Sequence, residues 1–279
     1  MTTNDVYGEW KLGDLRVRRM GFGAMRLFGA GSPEGAVEVV RRAVELGADH
    51  IDTAAFYHQG TVSANEAIRA AGLGEDVVVA TKVGPYRGPR DAFPTGELAA
   101  GDLRGEVERN LRELGRDHLD LVYLRTGGLE EPDGRSIGER FAALARMREE
   151  GLIRNLGVSH VSAAQLAEAR GIAPVVAVQN RFDITMERDA ALLGTCEREG
   201  VAYVPFFPLG GFGLPGDARL REVAGRHRAT VAQVMLAALL ALSPALLAIP
   251  GTGSLAHLEE NMGAASLRLG ADDLALLRR

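Results

Sequence analysis

Residues 153–180 read IRNLGVSHVSAAQLAEARGIAPVVAVQN. The run Ile153 to Ser159 is followed by Ser162 and Gln165, spaced as a capping box that opens a helix, and then by a second apolar run from Val175 to Asn180. Strand, helix and strand within about 30 residues is the pattern of a parallel βαβ unit.

Working outward, the same alternation is found along the whole chain. The predicted strands are Met20 to Gly23, His50 to Thr53, Val77 to Val83, Leu119 to Leu124, Ile153 to Ser159, Val175 to Asn180, Val201 to Phe207 and Ala245 to Ile249. Helix ends are marked by Ser32 before Pro33 with Gly47 after it, and by Ser136 with Glu139 and then Gly151. Eight such units in one 279-residue domain, spanning 1–279, favour closure into an α/β (β/α)₈ TIM barrel over an open sheet. Glu9 to Leu12 and Leu15 to Arg18 flank Gly13-Asp14 and predict an N-terminal β-hairpin that plugs the amino-terminal mouth. Closure places the chemistry on the loops after the strands' carboxyl ends, and long connections follow at 84–101, 127–135 and 209–216.

Composition narrows the functions. The chain is 46% hydrophobic and 25% charged, which suits a well-filled globular core. A net charge of −5 provides no general field for phosphate backbones or anionic lipid, so nucleic acid and membrane are not expected partners. A single Cys196, with no basic-then-apolar leader, predicts a reducing cytoplasm. The stretch 231–250 is long and nearly uncharged, but Thr230 with Gln233 reads as a capping box and Pro244 interrupts it. It therefore reads as helix, break and short buried strand. His50, His118 and His227 lack partners at ligand spacing, so no metal is expected. Gly21-Phe22-Gly23 hints at a dinucleotide fingerprint, but Arg26 stands where its third glycine belongs.

Three polar residues at strand ends form a coherent set: Asp52, Lys82, and Tyr57 five residues past Asp52. A phenol is a sluggish acid near neutral pH, and a neighbouring ammonium favours its phenolate. A carboxylate would hold that ammonium in place. From spacing alone, a structural Asp-Lys pair accounts for two of the three equally well.

The segments IDTAAFY, VATKVG, LGVSH, VQNRF, VPFFPLGG and IPGTGSLAHLEEN occur in order from about Met20 onward. In this the chain resembles the aldo-keto reductases. The resemblance implies metal-free carbonyl reduction with NADPH, or with NADH, on a small-molecule substrate. Tyr57 would be the proton donor, tuned by Lys82, which Asp52 supports. Ser159, His160 and Gln179 would hold the carboxamide, and Phe206 would stack on the nicotinamide. Pro208, Leu209, Gly210 and Gly211 would approach the pyrophosphate, and Gly251, Thr252, Ser254, His257, Glu260 and Asn261 would surround the adenosine.

The chain departs from the family pattern in several places. Asn is usual at 160 and Tyr is commoner at 206. Cations that recognise a 2′-phosphate often stand where this chain has Gly251 and His257, although Thr252 and Ser254 can donate hydrogen bonds there. The catalytic His is replaced by Arg125 in LDLVYLRT, and an arginine stays protonated and cannot relay a proton. If Arg125 points inward, it would anchor an anionic or strongly polarised group of a keto acid, enone or imine. If it swings outward, it would pair with Glu130 or Glu131 and leave chemistry slow. His58 is a second candidate proton donor or an ordinary loop imidazole. The alternatives are a nicotinamide-binding sensing protein with little turnover and a lyase or isomerase on the same barrel.

Overall fold

The computed structural model describes residues 6–278 apart from 89–90, 92–93, 129–130, 187–188 and 212. Strands β1 (Glu9–Leu12) and β2 (Leu15–Arg18) form the expected antiparallel hairpin, with Leu12 opposite Leu15. Next come β3 (Phe22–Gly23), α1 (Pro33–Glu45), β4 (His50–Asp52), a small hairpin of β5 (His58–Gln59) and β6 (Val62–Ser63), and α2 (Ala64–Ala71). Then β7 (Val78–Val83), the hairpin β8 (Pro85–Tyr86) with β9 (Gly96–Glu97), α3 (Leu103–Leu114), β10 (Leu119–Arg125) and α4 (Gly138–Glu149) continue the chain. It goes on through β11 (Ile153–Ser159), α5 (Ala163–Arg170), β12 (Ala177–Gln179), α6 (Ala190–Glu199), β13 (Ala202–Tyr203), α7 (Ala218–His227) and α8 (Val231–Leu242), and ends with α9 (Leu255–Gly263) and α10 (Ala271–Leu277).

Seven parallel strands pair in the order β3, β4, β7, β10, β11, β12, β13. The eighth position, residues 245–249, closes the ring by parallel bridges from Leu246 to Tyr203 and from Ala248 to Met20. Its hydrogen bonds run to both neighbours: Leu247 N donates to Tyr203 O and Ala248 N to Arg19 O, at 2.9 and 2.8 Å. It is too short for a full ladder, and several of the other strands are also shorter than their apolar runs. A run's hydrophobicity marks where it is buried, whereas a ladder also requires a partner backbone in register.

Alternation along the strands sorts side chains between two cores. Val78, Ala80, Leu121, Tyr123, Ala177, Ala202 and Leu247 fill the barrel interior, and Leu12 and Val17 of the hairpin pack beneath them as its plug. Outward residues such as Ile51, Val79, Val122 and Val158 meet the helices. The hairpin turn is pinned by Asp14, which accepts from Asn155 Nδ2 at 2.9 Å and pairs with Arg154 at 2.8 Å.

The capping boxes at Ser162/Gln165 and Thr230/Gln233 form as expected, and Ser32 accepts from Gly35 N at 3.1 Å. Ser136 with Glu139 does not form one. α4 is capped instead by Glu168 of the next helix, which accepts from Ile137 N and Gly138 N at 3.0 and 3.1 Å. The orphan amides of a helix start donate to any carboxylate that packing brings to them. α8 ends at Leu242, and among the described residues no helix is long and apolar enough to cross a membrane. Cys196 is buried, and burial pushes its thiol up to about 12, as suits a core residue.

Gly21 and Gly23 are explained by close packing. A Cβ on Gly21 would meet the His50 ring at 2.3 Å, and one on Gly23 would meet the Ile249 carbonyl at 2.6 Å.

Candidate active site

Register brings Asp52, Lys82, Arg125, Ser159 and Gln179 to the carboxyl end of the barrel interior. Gly23 is opposite Asp52, Tyr123 opposite Lys82, Arg125 opposite Ser159, and Ser159 opposite Gln179. Two outward threonines brace the strands that carry Asp52 and Lys82. Thr53 Oγ1 donates to Asn65 Oδ1 at 2.8 Å and Thr81 Oγ1 to Asn110 Oδ1 at 2.6 Å, tying β4 and β7 to α2 and α3.

Lys82 Nζ lies 2.5 Å from Asp52 Oδ1 and donates to Thr53 O at 3.0 Å. Both side chains are buried, so the ion pair sits where attraction is poorly screened and a lone charge would be costly. Asp52 uses its second oxygen to accept from Gln179 Nε2 at 2.7 Å. The same ammonium is 5.0 Å from the centre of the Tyr57 ring, so Asp52, Lys82 and Tyr57 do converge.

Arg125 turns into this site. Its guanidinium carbon is 4.7 Å from the Phe206 ring centre, and its nitrogens donate to Ser159 Oγ at 3.3 Å and to Gly128 O at 2.9 Å. Burial lowers its pKa, opposed by the nearby Tyr57 and Asp52. Its hydrogen bonds go to neutral acceptors, and no carboxylate of the described residues forms an ion pair with it. Glu130, one suggested outward partner, lies outside the described residues.

Of the residues expected at the cofactor, Ser159, His160, Gln179 and 208–211 lie at or just after the carboxyl ends of β11, β12 and β13. Gln179 Oε1 is buried without a hydrogen-bond partner, which fits an amide donor from a bound carboxamide. His160 has φ +59°, and its carbonyl accepts from Thr126 Oγ1 at 2.6 Å. A residue at that left-handed position is under the constraint that favours Asn, with His also tolerated. Pro208, Leu209, Gly210 and Gly211 follow β13, with Gly210 and Gly211 at φ +86° and +94°, and Arg26 donates to the Gly211 carbonyl. Ser254 caps α9, which carries His257, Glu260 and Asn261, and Thr252 Oγ1 accepts from Ser254 N at 3.0 Å.

Gly251 departs from the family pattern for a steric reason. A Cβ there would lie 2.5 Å from the Gly23 carbonyl oxygen. Gly251→Lys is therefore expected to cost about 1–3 kcal/mol of stability, as overpacking does. Urea denaturation checks this, and an unchanged midpoint would show that the loop can yield.

Two features escaped the sequence reading. Tyr123 is fully buried beneath the site; burial raises its pKa well above the ordinary phenol value, the Asp52 charge adds to this, and the neighbouring Gln179 amide opposes it. Its place on the inward face of β10, two residues before Arg125, was the available signal. The other is a pair of arginines, Arg87 and Arg109, behind the Tyr57 loop. His58 is largely exposed, and partial desolvation, then the charges of Arg87 and Arg109, lower its pKa, so it is a poor proton source at neutral pH. Among the described residues, no group of three or more His, Cys, Asp or Glu could hold a metal ion.

Known proteins match this arrangement over nearly its whole length. The model of the aldo/keto reductase family matches residues 19–279. The chain is 42% identical to pyridoxine 4-dehydrogenase of Escherichia coli, covering 95% of this chain and 96% of that one. It is similar to a thermostable aldo-keto reductase solved with the inhibitor epalrestat, with a TM-score of 0.82, 30% identity, and 97% and 98% of the two chains covered. It is also similar to an aldo-keto reductase from Klebsiella pneumoniae solved with NADPH, with a TM-score of 0.80, 25% identity, and 97% and 93% covered. On barrel, site geometry and sequence together, this chain belongs to the aldo/keto reductase family and is an NAD(P)H-dependent oxidoreductase of small carbonyl substrates.

Proposed function

We propose that this protein binds NADPH and reduces a carbonyl substrate that carries an anionic oxygen near the reacting carbon, with Tyr57 as proton donor. The observation that carries the reading is Arg125, a partly buried cation whose hydrogen bonds, among the described residues, go to Ser159 and Gly128 and to no carboxylate. A partly desolvated cation without an ionic partner is offset by an anion supplied with the substrate. Pyridoxal is the first candidate, since the relative named above is a pyridoxine 4-dehydrogenase. The ring hydroxyl of pyridoxal ionises beside its aldehyde. A keto acid has the same pairing of carbonyl and anion, and enones and imines are the polarised alternatives.

Gln179, Ser159 and His160 would hold the carboxamide and Phe206 would carry the ring. Residues 208–211 would meet the pyrophosphate, with Pro208 contributing no N–H, and Gly251, Thr252, Ser254, His257, Glu260 and Asn261 the adenosine end. When bound, the reduced nicotinamide supplies a hydride to the carbonyl carbon. Tyr57 donates its proton to the carbonyl oxygen as negative charge develops there, and Lys82 stabilises the phenolate left behind. Asp52 holds Lys82 at 2.5 Å in the orientation this requires. Arg125 stays protonated throughout, so it binds and orients without relaying a proton.

Absorbance loss of NADPH, then NADH, is measured against pyridoxal, a 2-keto acid, an enone, an imine and benzaldehyde. Arg125→Ala is expected to lower kcat/KM for the anionic substrates by about 10- to 100-fold, the scale of a hydrogen bond to a charged group, while sparing benzaldehyde. Equal losses for neutral and anionic substrates would remove the anchoring role. Cofactor binding without turnover on any substrate would favour a sensing protein instead.

A further inference from the structure

Tyr57 is carried by an irregular segment between β4 and β5, so no ladder or helix satisfies its backbone carbonyls. The structure shows where each one goes. Thr53 O accepts from Lys82 at 3.0 Å, Ala54 O from Tyr57 N at 2.9 Å, and Ala55 O from Arg109 at 3.3 Å. Phe56 O accepts from Arg87 at 2.6 Å, Tyr57 O from Ala64 N at 2.9 Å, and His58 O again from Arg87 at 2.9 Å. One nitrogen of Arg87 therefore bridges the carbonyls on either side of Tyr57. Its Nε donates to Asp91 O at 2.8 Å, within the long connection after β7. Within that connection Asp91 accepts from Gly88 N at 3.1 Å and Thr95 Oγ1 at 2.9 Å. Arg109 is braced by Glu113 at 2.7 Å.

We propose that Arg87 is a positioning residue for the proton donor, clamping the Phe56 and His58 carbonyls so that the Tyr57 ring stays beside Lys82. The planar guanidinium suits this task because its donors lie in a fixed fork, and bonds from a cation to carbonyls are stronger than neutral ones. Arg87 belongs to the connection over the barrel mouth, so the clamp joins the substrate-side loop to the catalytic segment. The inference rests on the reading of Tyr57 as proton donor, and Arg109 is the lesser of the two clamps because its single contact is longer.

The test compares the full-length protein with Arg87→Ala, Arg87→Gln and Arg87→Lys. Hydrogen exchange needs no turnover. The Tyr57 and Ala64 amides are expected to exchange about tenfold faster in Arg87→Ala, while those of β7 keep their protection. In NADPH-dependent reduction of pyridoxal and benzaldehyde, kcat is expected to fall by about 10²-fold, as a misplaced catalytic group does, with NADPH affinity kept within about twofold. The solvent isotope effect on kcat should rise as proton transfer becomes slower, and Arg87→Lys should recover part of the loss. Unchanged exchange at Tyr57 and Ala64 would overturn the clamp, as would a fall in kcat without a rise in the solvent isotope effect. Should Arg87→Ala fail to fold, Arg87→Gln and Arg87→Lys carry the same measurements. A Tyr57→Phe control that keeps full activity would instead remove the proton-donor reading and leave the exchange result standing.

Discussion

Tyr57→Phe is expected to lower carbonyl reduction by about 10²- to 10⁴-fold, the range a positioned proton donor supplies, while NADPH still binds. The substitution removes one hydroxyl and leaves the ring, which stands 5.0 Å from Lys82 and edge-on to Phe56. Stability should therefore change little, and kcat/KM should carry the loss. Single-turnover rates with premixed NADPH, beside a fluorescence titration of the cofactor, separate chemistry from binding. Weakened NADPH binding with normal single-turnover chemistry would place Tyr57 outside the proton path.

Asp52→Ala is expected to be the more damaging change to the fold, at about 3–5 kcal/mol, because it strips the ionic partner from a buried cation. Lys82 would keep only the Thr53 carbonyl, and Gln179 would lose the acceptor of its Nε2. The loss should therefore appear both as a lower midpoint in urea and as turnover that falls further than stability explains. The double variant Asp52→Ala with Lys82→Met removes the stranded charge and should recover part of the stability without recovering activity. Equal stability of the single and double variants would show that water or a rearrangement already serves Lys82.

The hydrogen-bonded network explains why removing one member affects the others. Asp52 contacts both Lys82 and Gln179, and Tyr123 lies beneath them, fully buried. At the mouth, Glu97 ties two of the long connections together. It accepts from Gly127 N and pairs with Arg135 and Arg140, each at 3.0 Å. The first two of the long connections are thus partly structured: β8 and β9 lie within the first, and Glu97 holds Gly127 and Arg135 of the second.

Much of this architecture can be read from local pattern. Apolar runs separated by capped amphipathic helices require a parallel sheet covered by helices, and eight of them in register require closure. Strand parity then dictates that Lys82, Ser159 and Gln179 face inward, because residues two apart share a face. Those properties depend on neighbours within one turn or one strand, which is the range that periodicity encodes.

Through-space approach decided the rest. The inward turn of Arg125 onto Phe206 and Ser159, the capping of α4 by Glu168, the steric demand for glycine at 251 and the grip of Arg87 on the Tyr57 segment all join residues about 30 or more positions apart. A long cationic side chain can reach several acceptors with similar local preference, so only the packed barrel selects which one it meets.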